Sequence, residues 1–244
     1  LQYLKDKCEY DEIHGWENSG RQLIEIKAQH FLPEQICHEL LKKKNISRIK
    51  KIPPVLPVLS RRTMEVPFTN TEEMINYNKS KSLHLWELAV RYESARGDMS
   101  HHQVFQKMKD IVDIMQTSIL TGIQGTDYAD RILGYQSGFF RSQLEKDRLL
   151  DGGILNTIIL YTTAMMEMKS AMGVIVAAPT AGSSGTLPGA CIGTATAMGL
   201  SPDDMTRAML AAGLIGIFIS TGATFAAEIG GCQAECGAAS GMAA

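Results

Sequence analysis

Apolar residues recur at helical spacing through most of the second half of the chain. Val104, Met108, Ile111 and Met115 lie three or four positions apart, which predicts an amphipathic helix that ends near Gly122. Three further helices are predicted on similar grounds. One has a face formed by Trp86, Ala89 and Val90 and stops near Gly97, and a long apolar one covers 154–172 and is closed by Gly173. The third is opened by Ser201-Pro202-Asp203-Asp204. The pattern therefore favours a mainly α-helical domain.

Polar residues at the predicted helix starts strengthen this interpretation. Thr69-x-x-Glu72 and Ser100-x-x-Gln103 both have the form of a capping box, in which each side chain satisfies a backbone N–H of the first turn. Ser201 suits the N-cap of its helix, and the two following acids complement the helix dipole. We therefore expect helices to begin at these three places.

The first fifty residues follow a different pattern. Residues 23–26 predict a short strand, residues 33–44 a helix, and the alternation of apolar and polar residues over 46–52 a second strand. Such a unit is too small to bury a core of its own. We interpret residues 1–52 as the end of an α/β domain, residues 53–62, which begin Pro-Pro-Val-Leu-Pro, as a linker, and residues 63–244 as the helical domain.

Composition narrows the classes of function. The chain has 244 residues, of which 45% are hydrophobic and 20% charged, and its formal net charge is -2. These values are typical of a folded protein and speak against a dedicated nucleic-acid binder, which would carry a basic face. Five irregularly spaced cysteines favour reduced thiols and a cytoplasmic location over a disulfide framework. The first residue is Leu1 and the last four are apolar, so we expect a piece of a longer protein.

A glycine- and hydroxyl-rich loop is the first candidate site. Residues 177–189 have an extended entry, a Gly/Ser turn and a helix start. Gly182 and Gly185 permit close approach of a ligand to the backbone, and Thr180, Ser183 and Ser184 offer hydroxyl donors beside a helix N-terminus. A carboxylate or phosphate would fit there. A helix cap followed by a tight turn explains the same residues equally well.

A second candidate site surrounds two cysteines. Cys232 follows two glycines, and Cys236 lies four positions later, so the two thiols share a face if the segment is helical. Two thiolates at this spacing can bind a soft metal or an iron–sulfur cluster. Two ligands do not complete such a site, however, and cysteine is also a common buried residue.

Both segments together resemble the catalytic α domain of the iron–sulfur L-serine dehydratases. That family carries a Pro-Thr-x-Gly-x-x-Gly loop, which matches residues 179–185, and a Gly-Cys-Gln-x-Glu-x-Gly-x-Ala-x-x-Met-Ala-Ala run, which matches residues 231–244. The resemblance covers about residues 70–244. Residues 1–52 resemble, less specifically, the end of the family's β or regulatory, ACT-like part.

The resemblance implies an L-serine ammonia-lyase of amino-acid catabolism and gluconeogenesis. It implies a [4Fe-4S] cluster held by three cysteines, with one open iron that binds the serine hydroxyl so that pyruvate and ammonia form. Cys232 matches one ligand, and the other two are expected beyond residue 244, so the chain alone should be inactive. Cys236 and Cys191 match no ligand position. The loop residues Thr180, Gly182, Ser183, Ser184 and Gly185 are then expected to bind substrate, while the identity of the base stays open.

The resemblance also implies partners, and two alternatives remain. The expected partners are L-serine and a second chain, in a homodimer or an α/β pair, with no nucleic acid and no membrane. Residues 208–227 are uncharged and long enough to span a bilayer, so a non-catalytic membrane or packing module is one alternative, although a buried core helix is favoured. A lyase of the same fold for another hydroxy amino acid is the other.

Overall fold

A computed structural model describes residues 4, 10–18, 20–28, 32–42, 46–51 and 65–244. The chain forms two compact units, Leu1–Pro57 and Val58–Ala244. The predicted linker, residues 53–62, lies outside the described residues.

The first unit contains a hairpin and a helix. Strands β1 (Glu12–Asn18) and β2 (Arg21–Lys27) pair antiparallel, with Ile13 opposite Ile26. Helix α1 spans Glu34–Lys42 and buries Cys37 and Leu40. The predicted strand over 23–26 is confirmed within β2, and the predicted helix is confirmed over 34–42. Strand β1, which pairs with β2, was not predicted.

The second predicted strand, over residues 46–52, is wrong where it can be judged. Residues 46–51 have no regular structure, and Ile52 lies outside the described residues. A strand needs a neighbour for its backbone hydrogen bonds, and β1 and β2 pair only with each other among the described residues. Two strands are all that the described part of this unit contains, and an ACT-like remnant is not confirmed.

The second unit is helical throughout, in agreement with the predicted fold class. Its helices, over residues 65–244, are α2 (Thr71–Asn78), α3 (Leu85–Gly97), α4 (His101–Gln124), α5 (Ser137–Leu144), α6 (Ile154–Ser170), α7 (Thr186–Ala197), α8 (Pro202–Gly222), α9 (Ala227–Gly230) and α10 (Cys232–Ala243). The sequence predicted α3, α4, α6 and α8 near these bounds, while α5 and α9 were not foreseen.

Capping explains where several of these helices begin. The Ser100 and Ser201 side chains accept hydrogen bonds from the backbone N–H groups of Gln103 and Asp204, both at 3.2 Å, as predicted. The predicted box at Thr69 is displaced by one residue. Asn70 is the N-cap of α2 and accepts from the Glu73 N–H at 2.9 Å. Thr69 instead donates its backbone N–H and its hydroxyl to the Glu73 carboxylate.

Helix α8 lies between the two hydrophobic cores of this unit. One core joins α4, α6, α7, α8 and α10, and the other joins α3, α4 and α8 around Phe68. Met205 and Met209 belong to the first core, and Leu210 and Leu214 to the second. This packing explains why α8 lacks a broad polar face. Among the described residues it is the one helix long and apolar enough to cross a membrane. In its apolar stretch of 18 residues, 39% is buried inside the protein.

Candidate functional site

The glycine- and hydroxyl-rich loop enters the site through a cis peptide between Ala178 and Pro179. It then turns, and helix α7 begins at Thr186. The turn is closed by two backbone hydrogen bonds, from the Ser184 N–H to the Ala181 carbonyl at 3.5 Å and from the Thr186 N–H to the Ser183 carbonyl at 3.1 Å. The predicted order of extended entry, turn and helix start is what the loop adopts.

The Thr180 hydroxyl is the centre of the polar contacts in this loop. It accepts from the Ser183 backbone N–H at 3.2 Å and lies 2.9 Å from the Ser183 hydroxyl. It also donates to a carboxylate oxygen of Glu235, 55 residues later in the chain, at 2.5 Å. The Thr180 side chain therefore joins the loop to the cysteine motif.

Ser184 and Gly185 occupy the buried end of the loop. Ser184 is 0% exposed, and its hydroxyl has no hydrogen-bond partner among the described residues. Gly185 lies against helix α6, where an added Cβ would sit 2.8 Å from Met166 and 3.0 Å from the Thr162 carbonyl oxygen. This end of the loop is thus packed against the helical core, and a buried hydroxyl without a partner is costly.

The cysteine motif forms helix α10, which begins at Cys232. Gly231 precedes it with φ +73°, a left-handed conformation that favours glycine. The Cys232 and Cys236 side chains are both exposed, and the helix places them on neighbouring positions of one face, as the spacing predicted. Further along the helix Ala238, Ala239 and Met242 are buried. Cys232 thus lies exposed at the N-terminus of α10.

Glu235 is the site residue that the sequence analysis missed. It lies three positions after Cys232 on α10, so both side chains lie on the same face of the helix. Its carboxylate rests directly on the loop backbone, since a Cβ added at Gly182 would overlap both carboxylate oxygens. Glu235 was visible inside the recognised motif, but its partner Thr180 is distant in sequence. The contact therefore needed a structure to be seen.

An open cleft of about 380 Å³ adjoins the loop. Thr180 forms part of its wall, together with residues at and after the end of α8, which are Ser220, Ala223, Thr224, Phe225 and Ala226. The volume is enough for a small amino acid. The cleft thus places Thr180 where a small ligand can reach it.

The metal-binding capacity of the described residues is partial. They contain no group of three or more His, Cys, Asp or Glu side chains arranged to hold a metal ion. Burial raises the pKa of the Cys191 thiol to about 11, which makes it a poor ligand because metals bind the thiolate. Cys232 is an accessible thiol, and Cys236 is a second. One exposed cysteine at the expected position fits a cluster ligand, but the described residues do not complete the set.

Comparison with known proteins assigns the chain to a family. The family model described as "Serine dehydratase alpha chain" matches residues 80–244. A "Probable L-serine dehydratase, alpha chain" of Bacillus subtilis (strain 168) is 28% identical over 72% of this chain and 59% of its own length. The "L-serine dehydratase, alpha chain" of Peptoniphilus asaccharolyticus is 29% identical over 70% of this chain and 59% of its own length.

A third relative is matched over a smaller share of its own length. "L-serine dehydratase 1" of Escherichia coli (strain K12) is 27% identical over 73% of this chain but only 40% of its own length. The chain therefore spans less than two thirds of these curated relatives. The family model covers well over half of the chain and includes both the hydroxyl-rich loop and helix α10. The chain belongs to the serine dehydratase alpha chain family.

Proposed function

We propose that the chain is part of an L-serine ammonia-lyase, which converts L-serine to pyruvate and ammonia. The observation that carries the proposal is the hydrogen bond from Thr180 to Glu235, because it brings the two family-matching segments together beside a cleft. A loop and an exposed cysteine that were unrelated in space would give no such support. The names of the relatives supply the substrate.

The substrate-binding role falls to the loop residues Thr180, Gly182, Ser183, Ser184 and Gly185. Thr180 borders the cleft, and the two glycines keep the backbone free of side chains at the points where Glu235 and helix α6 approach. Ser184 keeps a buried hydroxyl whose hydrogen has no acceptor among the described residues. A bound ligand, or a polar group from the rest of the enzyme, would satisfy it.

The proposed cofactor is a [4Fe-4S] cluster, with Cys232 as one of its ligands. Support comes from the exposure of this thiol and from its position at the start of α10, inside the segment that matches the family. When bound, an open iron would supply a Lewis acid for the hydroxyl of serine. The remaining ligands are proposed to come from outside the described residues. Residues 1–244 alone are accordingly not expected to hold a stable cluster or to be active.

Assembly with a second chain is part of the proposal. The Bacillus subtilis and Peptoniphilus asaccharolyticus relatives are named as alpha chains, and this chain matches 59% of each. We therefore infer that the active enzyme contains further polypeptide, as an α/β pair or within a homodimer. The cytoplasmic location expected from the cysteines stays a prediction.

The test compares two cysteine variants of the longest natural form of the protein, prepared without oxygen. Cys232→Ala is expected to abolish pyruvate formation from L-serine and to lower bound iron, because a cluster that loses one of three ligands is not retained. Cys236→Ala is the matched control, since it removes a thiol from the same exposed face, and it should keep both properties. Iron and sulfide content and visible absorbance report on the cluster independently of activity.

Each outcome of that comparison bears on a separate part of the proposal. A Cys232→Ala variant with full iron and full activity would mean that the ligand is assigned to the wrong cysteine. A parent protein with a full cluster that is inactive on L-serine but active on L-threonine would point to another hydroxy amino acid. Stoichiometric iron and sulfide bound by residues 1–244 alone would overturn the claim that further ligands are needed.

A further inference from the structure

The direction of the hydrogen bonds around Thr180 determines what the site can bind. A glutamate carboxylate accepts hydrogen bonds and has no hydrogen to donate. The Thr180 hydroxyl must therefore donate its hydrogen to Glu235. With that hydrogen used, Thr180 can only accept from other groups.

Ser183 supplies the groups that Thr180 accepts. Its backbone N–H donates at 3.2 Å, and its hydroxyl, at 2.9 Å, must be the donor in the contact with Thr180. The order of donation is thus Ser183 to Thr180 to Glu235. Every hydroxyl hydrogen in this cluster, which we call the Thr180–Ser183–Glu235 cluster, is used within it. What remains for a ligand is the lone pairs of the Ser183 oxygen and the unused positions of the carboxylate.

Three backbone donors of the loop are already used. The N–H groups of Ser183, Ser184 and Thr186 are all used inside the turn, by Thr180, Ala181 and Ser183 respectively. These are donors that the sequence assigned to a substrate carboxylate. The cluster is therefore rich in acceptors, and its one formal charge is negative.

The charge of Glu235 is also uncompensated within the described residues. The side chain is partly buried, and no Lys, Arg or His of the described part of the chain forms an ion pair with it. A partly buried carboxylate gains from a cationic partner. Thr180 lies in the wall of the adjoining cleft, and the Glu235 side chain that it contacts is itself partly exposed, so a cationic partner can reach the carboxylate.

We propose that the Thr180–Ser183–Glu235 cluster binds the ammonium group of the substrate, with Glu235 as its counter-charge. An ammonium has three donors and no acceptor, which complements a carboxylate and a hydroxyl lone pair. That the substrate is an amino acid rests on the proposed function. The substrate carboxylate and hydroxyl are then bound by other groups.

The test measures the binding of two fragments of serine to the full natural protein with its cofactor. Ethanolamine keeps the ammonium and hydroxyl but lacks the carboxylate, and 3-hydroxypropanoate keeps the carboxylate and hydroxyl but lacks the ammonium. Glu235→Gln removes the charge with little change in shape and leaves an oxygen to accept from Thr180. It is expected to weaken ethanolamine about 10- to 100-fold, the usual range for a hydrogen-bonded charge pair, and to leave 3-hydroxypropanoate within about twofold.

Two further variants separate recognition from general effects. Glu228→Gln removes the same charge from the exposed α9 nearby and should change neither affinity, which excludes a long-range electrostatic effect. Ser183→Ala removes the proposed lone-pair acceptor and is expected to weaken ethanolamine by about three- to tenfold, in keeping with one neutral hydrogen bond. Ser183→Ala provides a second test of ammonium binding if Glu235→Gln does not fold.

The possible results divide cleanly. If Glu235→Gln weakens both fragments equally, Glu235 only holds the loop in place, and the ammonium site is overturned. An unchanged affinity of Glu235→Gln for ethanolamine would overturn it as well. So would the absence of ethanolamine binding by the parent protein. Pyruvate formation from L-serine with an unchanged KM in Glu235→Gln would defeat the ammonium site alone. Glu235-dependent ethanolamine binding in a parent protein that forms no pyruvate would defeat the proposed function alone.

Discussion

Two glutamates of the helical unit make similar contacts in different surroundings. Glu167 on α6 is 2% exposed and accepts three hydrogen bonds, from the backbone N–H of Gln136 at 2.7 Å and from the N–H and hydroxyl of Ser137 at 3.0 and 2.6 Å. Glu235 on α10 is partly exposed and accepts one, from Thr180. Each carboxylate ties two distant segments together.

The difference lies in how much acceptor capacity is left. Glu167 satisfies the first N–H groups of α5, and Ser137 also lies 3.2 Å from the Gly122 carbonyl. The cluster therefore joins α4, α5 and α6, and the Glu167 and Ser137 side chains are buried. Glu235 has most of its lone pairs unused and lies near a cleft. A carboxylate saturated inside the protein stabilises the fold, whereas one with capacity left is available to a ligand.

The largest expected effect follows from exchanging each glutamate for alanine. Glu167→Ala leaves buried N–H groups and a hydroxyl without their acceptor, so the free energy of unfolding should fall by about 3 kcal/mol. Glu235→Ala should cost less than about 1 kcal/mol, because water can replace the carboxylate at a partly exposed position. Urea denaturation followed by circular dichroism measures both. Similar losses in the two variants would remove the distinction between the two clusters.

Gly182 offers a smaller change that acts on one cluster only. A Cβ at this position would overlap the Glu235 carboxylate, which is the flexible end of a side chain and can move aside. Gly182→Ala should therefore fold normally but displace Glu235, and kcat/KM for L-serine in the full natural protein should fall about tenfold or more.

Gly213→Ala is the matched control for Gly182→Ala. Gly213 lies inside α8 with nothing within 4 Å of an added Cβ, so alanine should leave activity unchanged and add up to about 1 kcal/mol of stability. Full activity of Gly182→Ala would show that the position of Glu235 against the loop is unimportant. A comparable loss in Gly213→Ala would show that the assay responds to any change in packing.

Features whose causes lie within a few residues could be predicted from the sequence. The capping boxes at Ser100 and Ser201 and the helices α4 and α6 follow from local spacing, and the structure agrees with them. The box at Thr69 was displaced by one residue because Asn70 and Thr69 both carry suitable side chains, and only the geometry decides between them. Local signals thus place helices well and their caps to within a residue.

Features that need a distant partner could not be predicted. The strand expected over 46–52 had the right alternation but no neighbouring strand to pair with among the described residues. The contact of Thr180 with Glu235 spans 55 residues, and that of Ser137 with Glu167 spans 30. The sequence therefore indicated which segments matter. It could not indicate which side chains meet, or that the Thr180 hydroxyl would donate to a carboxylate.

A third carboxylate tests whether burial, rather than the number of hydrogen bonds, separates the two glutamates. Asp204 accepts hydrogen bonds from the Ser201 hydroxyl and N–H and from Arg207, at 2.6, 3.2 and 2.7 Å. It therefore has as many hydrogen-bond donors as Glu167. It lies on the surface at the start of α8, however, with its side chain 40% exposed. The hydrogen bonds from Ser201, and then Arg207, hold the pKa of Asp204 below its usual value.

The smallest effect is therefore expected from Asp204→Asn, and it should depend on pH. Because the folded-state pKa is lowered, the stabilisation is present above the unfolded pKa of about 3.9 and is lost as the pH falls through the folded value. At pH 7 the variant should unfold at a slightly lower urea concentration than the parent, and the difference should shrink below about pH 4. Urea midpoints across this range measure it. A loss at pH 7 as large as that of Glu167→Ala would mean that hydrogen-bond number, not burial, sets the strength of these clusters.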